Sequence, residues 1–177
     1  RIPREEVASF RAFLSRTLKS LDKNSKLIIA GSYRRGSKTC GDVDILMYDP
    51  DIKTEAQAKK KTALKVFVDK LFATGVAIEK ISIGKTKCMA LFQWPKGAKH
   101  ILKADIRFVP QISYVAALVY FTGSRDHNLL MRRKAQKMGY KLNEYGLFDS
   151  VGKRIAFDTE RSLFEILELP YKGPTRR

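Results

Sequence analysis

Asp42 and Asp44 stand two residues apart in the run Asp42-Val-Asp-Ile-Leu-Met-Tyr48. In a strand, alternate side chains share a face, so both carboxylates point one way while Val43 and Ile45 point the other. Like charges held that close repel, and each has its pKa raised unless a cation lies between them. A divalent metal is the usual answer, and Mg²⁺ binds through one or two carboxylates together with substrate phosphates. A third acid, Asp105, lies in Lys103-Ala-Asp-Ile-Arg107, where the same alternation puts it on one face with Lys103 and Arg107. If the two strands are neighbours, three carboxylates meet, as two-metal phosphoryl transfer requires. One ion lowers the pKa of an attacking hydroxyl; the other holds a triphosphate and steadies the leaving oxygen. Taken alone, the acids are equally compatible with an exposed, solvated strand.

The segment before them shifts the balance. Gly31-Ser32 is followed by Tyr33-Arg-Arg-Gly-Ser-Lys-Thr-Cys-Gly41, a basic stretch punctuated by glycine. Small residues let backbone N–H groups approach phosphate oxygens, and arginine adds charge-assisted bonds. Gly31 to Lys38 is not a P-loop: the order is Gly-Ser-Lys rather than Gly-Lys-Ser, and a strand follows where a helix should begin. Cys40 and Cys88 form no CxxC pair, and His100 and His127 are isolated, so none of them is assigned a metal. Cys40 has no nearby base and reads as structural, and two distant cysteines suit a reducing compartment.

The elements that must position these groups are legible in outline. Val7, Phe10, Phe13 or Leu14, Leu18 and Leu21 recur at helical spacing, predicting a helix over 4–21. Strands are expected at 26–31 and 42–48, with a loop at 32–41 between them and a turn at Asp49-Pro50. A single Lys-rich helix is expected at 54–73, then strands at 76–83, 86–93 and 100–109. Helices follow at 112–120 and 125–138, separated by Thr122-Gly123-Ser124. Strands at 140–148 and 153–158 should pair across Ser150-Val-Gly-Lys153, before a helix at 160–167. The fold class is therefore α/β followed by α+β: a mixed sheet flanked by helices, then a smaller α+β unit. The expected division is 1–110 and 111–177, with no flexible linker between them. Phe10, Phe13, Phe67 and Phe72 read as core, Lys59-Lys60-Lys61 as a solvated face, and Trp94 is left unassigned.

Composition narrows the partner. The 177 residues hold 35 Lys and Arg against 18 Asp and Glu, a formal charge of +17. At 44% hydrophobic residues the chain is no disordered basic tail, and no apolar run spans a membrane. A polyanion is implied, nucleic acid before membrane surface or acidic protein. Arg34, Arg35 and Lys38 place part of the charge in the glycine-rich loop. Arg125, Arg132, Arg133, Lys134, Lys137 and Lys141 place another part on the helix after 124, where only Asp126 opposes them.

Gly31-Ser32, nine residues, then Asp42-Val-Asp44 resembles the nucleotidyltransferase signature. The fuller strings Gly-Ser-Tyr-Arg-Arg-Gly and Gly-Asp-Val-Asp resemble the palm of the family X DNA polymerases, the polymerase beta family. The likeness continues in order through Arg1-Ile-Pro-Arg-Glu-Glu6, Gly84-Lys-Thr-Lys-Cys-Met89, Asp105-Ile-Arg107, Tyr120-Phe-Thr-Gly-Ser124, Asn143-Glu-Tyr-Gly-Leu-Phe148, and Pro174 with Arg176 and Arg177. This resemblance implies a nucleotidyltransferase palm followed by a thumb. By it, Asp42, Asp44 and Asp105 bind two Mg²⁺ ions, with Mn²⁺ as a substitute, and Asp105 helps deprotonate a primer 3′-hydroxyl. Ser32, Arg35 and Gly41 contact the triphosphate, with Arg1 nearby. Tyr120, Phe121 and Gly123 flank the incoming sugar, and Asn128 meets the incoming nucleotide. Arg132, Lys87, Lys103, Arg107 and Tyr145 serve the DNA, Tyr145 packing near Arg132 and the template. The implied partners are a deoxynucleoside triphosphate and primer–template or gapped DNA. A monomer without membrane attachment is expected, intracellular and nuclear rather than mitochondrial.

Two residues depart from the family pattern: Arg125 stands at an acidic position, and Lys103 replaces an arginine beside the third acid. The amino-terminal lyase region and the helix-hairpin-helix fingers of the family are not in these residues, and the start at Arg1 is expected to be a cut or processed end. The implied reaction is DNA-directed addition of a deoxynucleotide in gap-filling repair. A template-independent transferase and an inactive DNA-binding module are the rival readings. Without a fingers region, net charge should supply much of the DNA affinity, which would then be weak and steeply salt-dependent.

Overall fold

A computed structural model describes all residues 1–177. It begins with a short strand β1 (Ile2–Pro3) and helix α1 (Arg4–Leu21), whose Val7, Phe10, Leu14 and Leu18 are buried at the expected helical spacing. Strand β2 (Lys26–Ile29) is followed by α2 (Gly31–Arg34), a single helical turn, and by β3 (Thr39–Cys40), which pairs with β1. The segment read as a loop is thus ordered at both ends. Next comes β4 (Val43–Tyr48). The single helix expected over 54–73 is two, α3 (Glu55–Lys60) and α4 (Ala63–Ala73). The break has an electrostatic cause. Lys61 leaves the helix in an extended conformation, and its Nζ lies 2.9 Å from Asp22 and 2.7 Å from Asp49, whose side chain is only 2% exposed. The Lys run is therefore not uniformly solvated.

Strands β5 (Ala77–Ile83), β6 (Lys87–Phe92) and β7 (Leu102–Phe108) complete a five-stranded mixed sheet of order β2-β4-β7-β6-β5, in which only β4 and β7 are parallel. Alternation divides the residues of its faces. Val43, Ile45, Met47, Cys88, Ala90, Phe92, Ala104 and Ile106 join α1 and α4 in a core of 24 buried residues. Phe10 and Phe67 are fully inside that core, while Phe13 and Phe72 pack against its edge. Trp94 belongs here too, stacked 4.6 Å from Phe13 with its Nε1 donating to Ser9. Cys40 and Cys88 are buried and free. Asp44, Asp105 and Arg107 occupy the opposite register positions.

Helix α5 (Gln111–Thr122) covers part of that second face: Ala117 and Leu118 pack with Leu46 and Val109. Helix α6 (Arg125–Lys137) follows, with Ser124 as its N-cap. The strand expected over 140–148 is a hairpin, β8 (Lys141–Asn143) and β9 (Gly146–Phe148). Asn143 Oδ1 accepts from the backbone N–H groups of Tyr145 and Gly146, an Asx turn that reverses the chain in the middle of the expected strand, well before Ser150. Strand β10 (Arg154–Ile155) pairs with β9 as expected, and α7 (Glu160–Ile166) starts at a Thr159 capping box. Val119, Met131, Ala135, Leu147, Leu163, Phe164 and Leu167 form a second, smaller core. The architecture is the expected mixed sheet between helices followed by an α+β unit. No helix is long and apolar enough to cross a membrane.

Candidate active site

The parallel pairing of β4 with β7 brings the acids together: Asp44 is the register partner of Asp105. Burial pushes the Asp44 carboxyl up, and repulsion from Asp105 and Asp42 adds to it. Arg107 and Arg35 only partly offset these, and the pKa stands at about 6. Arg107 Nη2 lies 3.5 Å from Asp105 Oδ2, a loose contact that leaves the carboxylates without close neutralisation. The three acids do not form a closed three-ligand cage. A hard cation that keeps water and shares its shell with substrate phosphates needs no such cage. Carboxylate oxygens crowded with only partial countercharge are a donor set that fits it.

The turn after β2 is built against these acids. Gly31 has φ +58, and a Cβ there would lie 2.7 Å from Asp44 Oδ2, so only glycine lets backbone and carboxylate approach this closely. Arg4, on α1, braces the turn from behind: its Nη1 donates to Tyr33 O at 2.6 Å and to Ser37 O at 3.3 Å, and its guanidinium lies over the Tyr33 ring. Arg1 is held by Thr39 through its Nε and Nη2.

A cleft of about 630 Å³ opens between this turn and the start of α6. Arg1, Gly31, Ser32, Arg35 and Gly41 line one side with Asp42 and Asp44; Tyr120, Phe121, Gly123, Asn128 and Arg132 line the other, with Arg125. Residues from 1–44 and from 120–132 thus meet across one opening. Asn128 Nδ2 donates to Tyr120 O at 2.7 Å, which fixes the helix to the aromatic pair. Tyr120 and Phe121 meet edge to face, 5.0 Å apart.

The other expected residues lie elsewhere. Lys87, Arg107 and Tyr145 line a second cleft of about 350 Å³, which Phe121 and Lys59 share. Lys87 and Arg107 are register partners on β6 and β7, and Arg107 lies over the Phe121 ring at 4.6 Å. Tyr145, expected beside Arg132, lines this second cleft and not the one Arg132 lines. The early hairpin turn is the cause, because it delivers Tyr145 to α5, where its carbonyl accepts from Ser113 Oγ at 2.8 Å. Lys103 is exposed on β7 and lines neither cleft.

Arg34 also departs from expectation. It turns away from the large cleft and makes two bonds to Glu160, with Nη2 to Oε1 at 2.6 Å and Nη1 to Oε2 at 3.0 Å. Arg177 Nη1 reaches the same carboxylate at 2.6 Å. Burial works to raise the Glu160 pKa, but the bonds from Arg34 and Arg177 outweigh it and hold the carboxyl below its ordinary value. Arg34 and Glu160 are 126 residues apart, and no local spacing could have paired them.

Comparison with known proteins covers nearly the whole chain. Residues 1–111 match the family model for the DNA polymerase beta palm, and residues 117–177 match that for the DNA polymerase beta thumb. The chain is 30% identical over 189 residues to DNA polymerase lambda of Rattus norvegicus and 29% identical over 194 residues to DNA polymerase lambda of Arabidopsis thaliana. Both alignments take in 100% of this chain but only 33% and 36% of those relatives, so the chain spans about a third of their length. A repair DNA polymerase X of African swine fever virus (isolate Pig/Kenya/KEN-50/1950) is 29% identical over 161 residues, 90% of this chain and 84% of that protein.

Proposed function

Because the chain belongs to the family X DNA polymerases, we propose that it is a DNA-directed DNA polymerase adding a deoxynucleotide to a primer 3′-hydroxyl in gap-filling repair. Residues 1–110 serve as the catalytic palm and 111–177 as the nucleotide-selecting thumb. The observation that carries this reading is the large cleft. It joins Asp42 and Asp44 to the Gly31–Arg35 turn and to Asn128 and Arg132, with Asp105, the register partner of Asp44, outside its lining. Primer end, triphosphate and base pair would each have a wall of their own.

Two Mg²⁺ ions held by Asp42, Asp44 and Asp105 would supply hydroxyl activation and neutralisation of the triphosphate. The chain's own residues do the rest. Asp105 takes up the proton of the primer 3′-hydroxyl at its carboxylate. Ser32, Arg35 and Gly41 hold the triphosphate with its leaving pyrophosphate in line, and Arg1 adds charge at the cleft edge. Positioning and charge placement are where most of the rate arises in such displacements. Tyr120, Phe121 and Gly123 close the sugar side, so that bulk and backbone disfavour a ribose. Asn128 and Arg132, one helical turn apart, lie where a base pair would present its minor groove. On the DNA side, Lys87 and Arg107 face the primer–template from the second cleft, and Lys103 is open to a backbone phosphate.

Extension of a gapped substrate with a 5′-phosphate, with and without templating bases, tests the proposal. Incorporation directed by the template is expected. Equal extension of single-stranded DNA would favour the template-independent reading, and salt-dependent DNA binding with no incorporation would favour the inactive module.

A further inference from the structure

The residue that fixes Tyr145 at the second cleft lies outside both clefts. Arg154, on β10, sends its Nη1 to Tyr145 O at 2.6 Å and to Ile112 O, in the first turn of α5, at 3.4 Å. Ser113 Oγ donates to the same Tyr145 carbonyl, and Asn143 Oδ1 accepts from the Tyr145 backbone N–H. The Tyr145 backbone is thus pinned at both ends, while the residue stays 50% exposed at the cleft. The Arg154 guanidinium lies over the ring of Phe148, its register partner on β9, 4.9 Å from the centroid. A planar cation that stacks on a ring and reaches carbonyls from its edge has little freedom to swing.

The glycine next to Tyr145 is fitted to this side chain. A Cβ on Gly146 would collide with Arg154 Nη1, so an alanine there displaces the guanidinium. Gly146 is not among the glycines at positive φ, so its backbone does not demand glycine; the space that Arg154 fills does. The cleft that Tyr145 lines also takes Lys87 and Arg107 from the sheet and Lys59 from α3. Glu55 and Glu144 share the lining and offset two of those charges, which leaves the exposed ring as the distinctive group. Cations that track phosphates beside a ring that takes a base face are the means by which a nucleic-acid strand is held.

We propose that Arg154 is a positioning residue for the DNA strand in the second cleft. It locks the Asn143–Gly146 turn, so that the Tyr145 ring is presented in place and need not be ordered when the strand arrives. Its effect passes through Tyr145. The inference rests on the reading of the second cleft as the DNA side and assigns to its affinity a residue that lines neither cleft.

The test is equilibrium binding of gapped DNA to the full chain, followed by fluorescence anisotropy over a series of salt concentrations, with melting temperature measured alongside. Tyr145→Ala should weaken binding about 5-fold or more, the loss of one stacked ring. Arg154→Lys keeps the charge, but an ammonium cannot lie flat on Phe148 while it reaches two carbonyls, and binding should weaken about 3-fold or more. Gly146→Ala removes no charge and displaces the guanidinium; it should weaken binding by a similar factor with the salt slope unchanged. In a Tyr145→Ala background neither change should weaken binding further, because both act through that ring. Arg154→Lys, at a partly exposed site, carries the test even if Gly146→Ala folds poorly. Wild-type DNA affinity in Arg154→Lys and Gly146→Ala, whatever their melting temperatures, would overturn the proposal and leave Arg154 a structural tie. Losses that add to that of Tyr145→Ala would also overturn it. Wild-type DNA affinity in Tyr145→Ala itself would sink the reading of the second cleft, and this inference with it.

Discussion

Two half-buried carboxylates in this molecule meet the same penalty and end in opposite states. For Asp44 and for Glu160 alike, burial is the largest influence and works to raise the pKa. At Glu160, Arg34 and Arg177 close on the oxygens at 2.6 Å and reverse it. At Asp44 repulsion from Asp105 and Asp42 adds to it, Arg107 and Arg35 offset it only in part, and the pKa rises to about 6. One carboxylate is saturated with cations that the chain supplies. The other stands where the chain places more negative charge and holds its arginines back. A fold selected only for stability would neutralise both, since like charges gathered in a half-buried site cost free energy. On the proposed reading the acid cluster takes its countercharge from outside, whereas the chain itself supplies that of Glu160.

The largest effect should separate the two at once. Asp105→Asn and Asp44→Asn are expected to lower gap-filling incorporation at least ~10³-fold, the range seen when a preorganised charge is removed from a reacting centre. Steady-state extension measures this, and near-normal rates in either variant would remove the acid cluster from the chemistry. Stability should move the other way around. Glu160→Gln leaves the largely buried Arg34 and the fully buried Arg177 without a full partner and should cost about 2–4 kcal/mol in urea unfolding. Equal stability of that variant and wild type would show the Glu160 cluster is no framework.

A third test uses a cation site that the fold keeps neutral. His127 is buried against Phe164, and burial, with Arg177 and Lys172 nearby, lowers its pKa to about 4. A depressed histidine pKa favours the fold above the unfolded value of 6.5. That contribution is lost as pH falls from there toward about 4, because the unfolded chain takes up a proton first. At pH 5 this should remove at most about 2 kcal/mol relative to pH 7.5. His127→Phe should be distinctly less acid-sensitive over that window, and an unchanged pH slope would contradict the assignment. The smallest effect sharpens the comparison most. Asp44→Asn, unfolded in chelator, should be more stable than wild type at pH 7 by about 1 kcal/mol, because it relieves repulsion and solvation cost together. A loss of stability there would mean that Asp44 is already satisfied by the chain.

Much of this was legible before any coordinates. The helical spacing of Val7, Phe10, Leu14 and Leu18 and the alternation through Val43–Met47 and Leu102–Phe108 are repeats within a few residues, so the core face of α1, β4 and β7 could be read directly. The close spacing of Asp42 and Asp44, and the glycine before them, told of charge and close backbone approach for the same reason. Local pattern misled where a distant partner intervened. Lys61 continues a good helical run until Asp22 and Asp49 draw it out of the helix, and the Asn143 side chain turns a run that otherwise reads as one strand.

What the sequence by itself determined, then, is the chemistry on offer: three strand acids, a basic glycine turn, and an aromatic pair ahead of a basic helix. Side-chain type and short-range period carry that information, and both are properties of neighbours in the chain. Only the tertiary structure decided who meets whom. The parallel pairing of β4 with β7 set Asp44 beside Asp105, the hairpin at Asn143 took Tyr145 to the second cleft, and the packing of α7 gave Arg34 to Glu160. Those pairings follow from burying two cores at once, and that constraint belongs to the whole chain and to no segment of it.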